Sequence, residues 1–217
     1  MSHVLNDEER MALDDRIAKA EKKTGTQIVL ALIERSDAYP EIPWKSFALG
    51  VSVSSLVVLI LNNLWPFTTP AMAVLVSIVI ILGTGTGLAL LCVFIPDVAR
   101  LFLSADRAEA ETRQYAESLF LAREIFSTPD RRAVLLMISL FEHRIVILPD
   151  TGLAGQIDDA GTAEKIISGM RPHLKAGRLA QALDAGLDGL ENLIIHDGKS
   201  ISPAVELPNT IIQEKGA

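Results

Sequence analysis

From residue 46 to residue 96 the chain contains no Lys, Arg, Asp or Glu. Crossing a bilayer once takes ~20 apolar residues, so this run is long enough to cross twice. Its middle is broken by NNLWPFTTP, residues 62–70, a polar and aromatic turn. The run therefore reads as two helices, 46–65 and 71–95, folded into a transmembrane hairpin. A soluble helix normally shows a polar face, and neither segment has one. Trp44 and Trp65 flank the first segment, where indole rings suit a membrane interface.

The polar N-terminus, MSHVLNDEER, lacks the basic and apolar regions of a signal peptide, so insertion is expected to use the internal segment. The turn at 62–70 carries no basic residue, whereas Lys45, Arg100 and Arg107 flank the run closely. By the positive-inside rule both flanks are cytoplasmic and the turn is translocated.

GTGTG, residues 83–87, lies inside the second apolar segment. Its spacing is not that of a dinucleotide fingerprint, and no acidic residue follows at ribose-binding distance. In an apolar helix, small residues permit close helix–helix contact. Gly83, Gly85 and Gly87 are therefore candidate partner-binding positions, with Ser52 and Ser55 as packing partners.

The flanking segments carry soluble-domain patterns. Asn6 caps a helix with acidic residues in its first turn, lysines in its last and Gly25 at its end. TQIVLALI, 26–33, is a buried strand. After the hairpin, 106–126 reads as a helix and AVLLMISL, 133–140, as a second buried strand. A short turn, FEHR, leads to a third strand, RIVILPD, paired antiparallel with the second. Helices follow at 160–176 and 178–195. The tail from His196 onward is polar and broken by proline, and reads as irregular, with ELPNTII docking on the body. One helix and one strand cannot close a sheet. Residues 1–45 and 98–217 are therefore expected to form one discontinuous α/β domain, with 46–97 as the hairpin.

The order of these parts resembles the TPM domain family. The resemblance rests on Glu142-His143-Arg144 in the strand turn, Asp150-Thr151-Gly152-Leu153 after the third strand, and Pro172 to Gly177-Arg178 at a helix end. Arg35-Ser36-Asp37-Ala38-Tyr39 before the hairpin and Val205 to Asn209 in the tail are similar to a bacterial membrane-protein branch. The departures are Arg132-Ala133-Val134-Leu135, where that branch has R-T-G-V-L, and VELPN for NELPD. The resemblance implies a three-layer α/β/α sandwich with a small mixed sheet and a bacterial inner membrane location, and the charge pattern of the flanks puts the soluble domain on the cytoplasmic side. Relatives include acid phosphatases, calcium binders and accessory factors of membrane complexes, so family alone leaves function open.

The candidate site residues follow from the strand ends. Asp37, Asp150, Asp158 and Asp159 would offer a hard cation such as calcium several oxygens, if the first and third strands are neighbours. Against this, Pro-Asp-Thr-Gly is ordinary turn chemistry and Asp158 or Asp159 an ordinary helix cap. Arg35, Tyr39, Glu142, His143 and Arg144 are candidates for partner binding. A net charge of −7 with no basic stripe excludes nucleic acid as a partner. The single cysteine, Cys92, cannot form an internal disulfide. No Cys-x5-Arg loop, Asp-x-Asp nucleophile or P-loop is present. The expected role is a non-enzymatic accessory, assembly or stabilising factor of a larger membrane protein complex. The alternatives are a membrane-anchored metal-dependent acid phosphatase and a calcium-stabilised binding module.

Overall fold

A computed structural model describes residues 5–64, 69–157, 160–195 and 211–216. Its elements are α1 (Asp7–Thr24), β1 (Gln27–Arg35), α2 (Glu41–Leu64), α3 (Pro70–Phe94), α4 (Pro96–Arg100), α5 (Ala105–Ala122), β2 (Ala133–Ser139), β3 (Arg144–Pro149), α6 (Ala154–Ile157), α7 (Ala160–Lys175), α8 (Leu179–Ile195) and β4 (Ile212–Gly216). Two 3-10 turns, Ile125–Ser127 and Pro129–Arg131, join α5 to β2. The chain divides into two compact units, Met1–Ser36 with Glu109–Ala217, and Asp37–Ala108.

In the first unit, α1 starts where its sequence dictates. The Asn6 side chain accepts from the Glu9 N–H at 2.7 Å, and the Glu9 carboxylate accepts from the Asn6 N–H at 3.0 Å, which satisfies two otherwise orphaned donors. Gly25, at φ 57, closes the helix by donating to the Glu21 carbonyl, a conformation that glycine adopts without strain.

The sheet order is β3-β2-β1-β4, with β1 parallel to β2 and β4, and β3 antiparallel to β2. Side chains alternate between faces, and both faces are covered. Ile28, Leu30 and Leu32 of β1 and Val134, Leu136 and Ile138 of β2 join Leu13 and Ile17 of α1, Met170 of α7 and Leu183 and Leu187 of α8 in one core. Ala31, Ile33, Leu135 and Met137 face Ala116, Leu119 and Phe120 of α5 in the other. Helices thus lie on both sides of a mixed sheet, which explains why β2 is buried along its whole length. Gly186 lets α8 approach the sheet closely, since a Cβ there would sit 2.8 Å from Leu136.

Several elements differ from the sequence reading, and α2 begins at Glu41 rather than at residue 46. α5 ends at Ala122 because Glu124 adopts a left-handed conformation, φ 49, that a helix does not continue through. The tail is not irregular at its end, since Ile212–Gly216 adds a fourth strand beside β1. Ile211 points into the first core and Ile212 into the second, so an edge strand needs only this short apolar pair. Residues 205–209, His196 and Trp65 lie outside the described residues.

In the second unit, α2 and α3 are each long and apolar enough to cross a membrane. They run antiparallel: Gly50 meets Gly85, and the Asn62 amide donates to the Ser77 hydroxyl at 3.2 Å. The buried side of α2 is Ile42, Ser46, Gly50, Ser54 and Val58, a four-residue spacing that makes one stripe. Ser46 and Ser54, rather than Ser52 and Ser55, occupy the contact. Their hydroxyls are satisfied within α2, on the Pro43 carbonyl at 2.8 Å and the Gly50 carbonyl at 2.6 Å, so they enter an apolar contact without orphaned donors. At Ile95 the backbone becomes extended, and Pro96 starts the short α4.

Candidate functional site

The ends of β1 and β2 carry a buried polar cluster. Ser36, Thr112, Ser139 and Glu142 are each less than a tenth exposed. The Glu142 carboxylate accepts from the Ser36 N–H at 2.9 Å, from the Ser36 hydroxyl at 2.5 Å and from the Ser139 hydroxyl. The Ser36 and Thr112 hydroxyls are 3.3 Å apart. Glu142 therefore turns inward, where two donors of Ser36 from the end of β1 and the hydroxyl of Ser139 from the end of β2 meet it, instead of standing in a solvated recognition turn. His143, at φ 53, forms the exposed apex. Arg144 is 4.0 Å from Glu109, and the Arg35 guanidinium lies 4.3 Å above the Phe141 ring. Arg35, His143 and Arg144 thus share one end of the sheet. Ser36, Ser139 and Thr112 were not distinguishable by sequence alone. The one available signal was a serine closing an otherwise apolar strand.

Asp150 lies at the other end. Its N–H donates to the Ala133 carbonyl at 2.8 Å, level with Gln27, the first residue of β1. Strand rise of about 3.3 Å per residue puts it roughly 25 Å from the Arg35 end, and β2 separates β1 from β3. The strands expected to bring Asp37 and Asp150 together are not neighbours. Asp150 instead has local partners. Its Oδ1 accepts from Arg131 Nε at 3.0 Å, from Arg131 Nη2 at 2.9 Å and from the Thr151 N–H at 2.7 Å. Its Oδ2 is buried with no hydrogen-bond partner among the described residues. Arg131 is held by its own left-handed backbone, φ 54, and lies 5.4 Å from the Phe126 ring. Gly152 fits beneath this turn because a Cβ would collide with the Asp130 carbonyl and come within 2.6 Å of the Arg131 carbonyl. An open pocket lined by Gly152, Gly155, Gln156 and Leu193 adjoins the turn. Asp158 and Asp159 lie outside the described residues. Among the described residues, no three His, Cys, Asp or Glu side chains are placed to hold a metal ion.

Within the second unit, Asp37 accepts from the Ala38 N–H at 2.8 Å and from Arg107 at 3.2 Å. Arg107 also pairs with Glu41 at 3.0 Å and lies 6.0 Å from the Tyr39 ring. Tyr39 is 1% exposed and adopts φ 48, so its ring is buried and does not present a surface to a partner. Arg107 ties the two ends of the hairpin together. Gly85 packs on Phe47 and Val51 of α2, whereas a Cβ at Gly83 or Gly87 would meet nothing within 4 Å. GTGTG is thus split, with Gly85 inside the hairpin and Gly83 and Gly87 on its open side.

Two charge clusters fix the outer layers of the first unit. Arg16 of α1 pairs with Asp184 at 3.3 Å, Asp188 at 2.5 Å and Glu191 at 3.0 Å on α8. The Arg16 hydrogen bond holds the Glu191 carboxyl below its ordinary range, against burial, and Lys23 adds to this. Glu214 of β4 accepts from the Tyr115 hydroxyl at 2.9 Å and pairs with Arg123 at 2.7 Å. Arg123, then Tyr115, keeps Glu214 low, while burial and the Glu214 carboxylate push Tyr115 up to about 12.

Comparison with known proteins agrees with this architecture. The NMR structure of the BA42 protein from the psychrophilic bacterium Bizionia argentinensis superposes with a TM-score of 0.55, covering 98% of this chain and 97% of that one at 16% identity. At that identity the similarity concerns the fold. No curated protein matches the chain. The family model TPM_phosphatase, described as the TPM domain, matches residues 76–193. That match covers more than half of the 217 residues, and the chain belongs to the TPM domain family.

Proposed function

We propose that this protein is a membrane-embedded, non-enzymatic accessory subunit that presents a TPM domain to a larger membrane protein complex and helps its assembly or stability. The observation that carries the reading is the insertion of two membrane-length apolar helices between β1 and α5. Their large apolar side chains, such as Leu56, Leu59, Leu75 and Val79, are half-exposed or more, which water disfavours and lipid does not. The flanking Lys45, Arg100 and Arg107 favour a bacterial inner-membrane hairpin with both flanks in the cytoplasm.

Gly83 and Gly87, open on α3, are the positions assigned to a partner's transmembrane helix. Arg35, His143 and Arg144 are assigned to its cytoplasmic surface. Photo-crosslinkers placed at Gly83 and at Gly85 in native membranes test the reading. A discrete adduct from Gly83 and none from Gly85 is expected. Absence of any adduct from Gly83, with the protein inserted, contradicts it.

A second reading, a membrane-anchored phosphatase, is favoured by Asp150, whose buried Oδ2 has no hydrogen-bond partner among the described residues and lies beside an open pocket. Hydrolysis of a chromogenic phosphate ester that depends on a divalent cation and is lost in Asp150→Asn would support it over the accessory role. Inactivity of the native protein across acidic and neutral pH would remove it.

A further inference from the structure

The three most exposed large apolar side chains among the described residues are Leu101 at 82%, Phe94 at 77% and Trp44 at 73%. All three lie at one end of the hairpin. The contacts Gly50–Gly85 and Asn62–Ser77 set the antiparallel register, and extending it places Trp44 within one helical turn of Phe94. Leu101 follows directly after α4.

From Trp44 to the end of α2 at Leu64 the helix rises ~30 Å, at 1.5 Å per residue, which matches the ~30 Å hydrocarbon thickness of a bilayer. Trp44 is thus at a boundary level when α2 spans the bilayer. The ionic groups around it are compatible with partial desolvation. Arg100 pairs with Asp97 at 2.6 Å, and Arg107 with Asp37 and Glu41. Paired charges lose less than isolated ones on leaving bulk water. Among the described residues Lys45 has no ion-pair partner, and a lysine next to an interfacial indole can lay its stem along the apolar layer and its ammonium on a phosphate.

We infer that Trp44, Phe94 and Leu101, with Lys45, form an interfacial collar that seats this end of the hairpin at the headgroup–acyl boundary of a phospholipid bilayer. The collar rests on the reading of α2 and α3 as membrane-spanning. It goes beyond that reading by extending membrane contact past α3 to Leu101, and by fixing the depth of the hairpin. A role as an aqueous protein-docking surface would instead leave Trp44 in water in the isolated protein.

The test uses the full chain with Trp65→Phe, which leaves Trp44 as the single tryptophan, reconstituted in phosphatidylcholine vesicles. Lipids brominated near the headgroup or near the chain end report indole depth, and flotation with alkaline extraction reports insertion. The expected result is extraction-resistant protein whose Trp44 emission is blue-shifted and loses more intensity to shallow bromines than to deep ones. Leu101→Trp in a background of Trp44→Phe and Trp65→Phe is expected to give the same shallow pattern. Red-shifted, unquenched emission from either reporter in protein that stays inserted overturns the collar alone. Protein that does not stay with the vesicles overturns the membrane reading and the collar together.

Discussion

Glu142 takes two hydrogen bonds from one residue, Ser36, through the backbone N–H at 2.9 Å and the hydroxyl at 2.5 Å. Ser36 is the last residue of the α/β unit before the chain continues into the hairpin unit at Asp37. A carboxylate in the β2–β3 turn therefore fixes the backbone where β1 ends. Glu142→Ala removes the shared acceptor of the Ser36 N–H and of the Ser36 and Ser139 hydroxyls. An unsatisfied buried donor costs about 1–3 kcal/mol, so a loss of roughly 2–4 kcal/mol is expected by denaturant titration in mild detergent. Glu142→Gln keeps one amide oxygen and is expected to lose less. Equal stability of both variants and the parent would contradict this role.

The Arg16 cluster predicts acid sensitivity. Glu191 is depressed in the folded state, chiefly by its hydrogen bond from Arg16. Its contribution is complete above the ordinary glutamate pKa, about 4.3, and is lost as pH falls through the lower folded value. Glu214, depressed chiefly by Arg123, adds stability with the same sign. Tyr115 has the opposite sign. Its contribution is complete below the unfolded tyrosine value of about 10 and is lost as pH rises through about 12. Melting temperature against pH is expected to fall less steeply on the acid side in Glu191→Gln, and less steeply on the alkaline side in Tyr115→Phe.

Gly152 and Gly155 form an internally controlled pair. A Cβ at Gly152 meets backbone carbonyls of the 129–131 turn, whereas a Cβ at Gly155 meets nothing within 4 Å. Gly152→Ala is expected to cost about 1–3 kcal/mol, the range for overpacking. Gly155→Ala lies on a short helix, where alanine is the better helix former, and is expected to be neutral or mildly stabilising. Parallel thermal melts read the difference directly.

Gly50 is the position at which α2 and α3 touch backbone to backbone, with a Cβ there 2.9 Å from Gly85 Cα. Gly50→Val is expected to separate the helices. A disulfide between Asn62→Cys and Ser77→Cys, the pair linked at 3.2 Å, should form readily in the parent and poorly with Gly50→Val. Gly83→Val should leave its yield unchanged.

How much was legible depended on whether a pattern was local. α1 was readable from Asn6, Glu9 and Gly25, and β2 from an unbroken apolar run, since each feature lies within a few residues. β4 was not, because two isoleucines suffice for an edge strand whose remaining support on Glu214 comes from Tyr115 of α5 and from Arg123 just past its end. The burial of Glu142 was hidden for the same reason, two of its three donors being 106 residues away at Ser36. Asp150 was correctly placed at a strand end. Its pairing with Arg131 depends on the left-handed backbone of Asp130 and Arg131, which nothing in their side chains dictates.

The central claim is that the hairpin holds a TPM domain within a larger membrane assembly. The most direct measurement is the size and composition of the species that carries the tagged, full-length protein when native membranes are dissolved in mild detergent. The account predicts a discrete assembly well above the 23.5 kDa of one chain, containing at least one other membrane protein that dissociates in Gly83→Leu. Quantitative recovery as a free monomer from membranes that had retained the protein through alkaline extraction would contradict it.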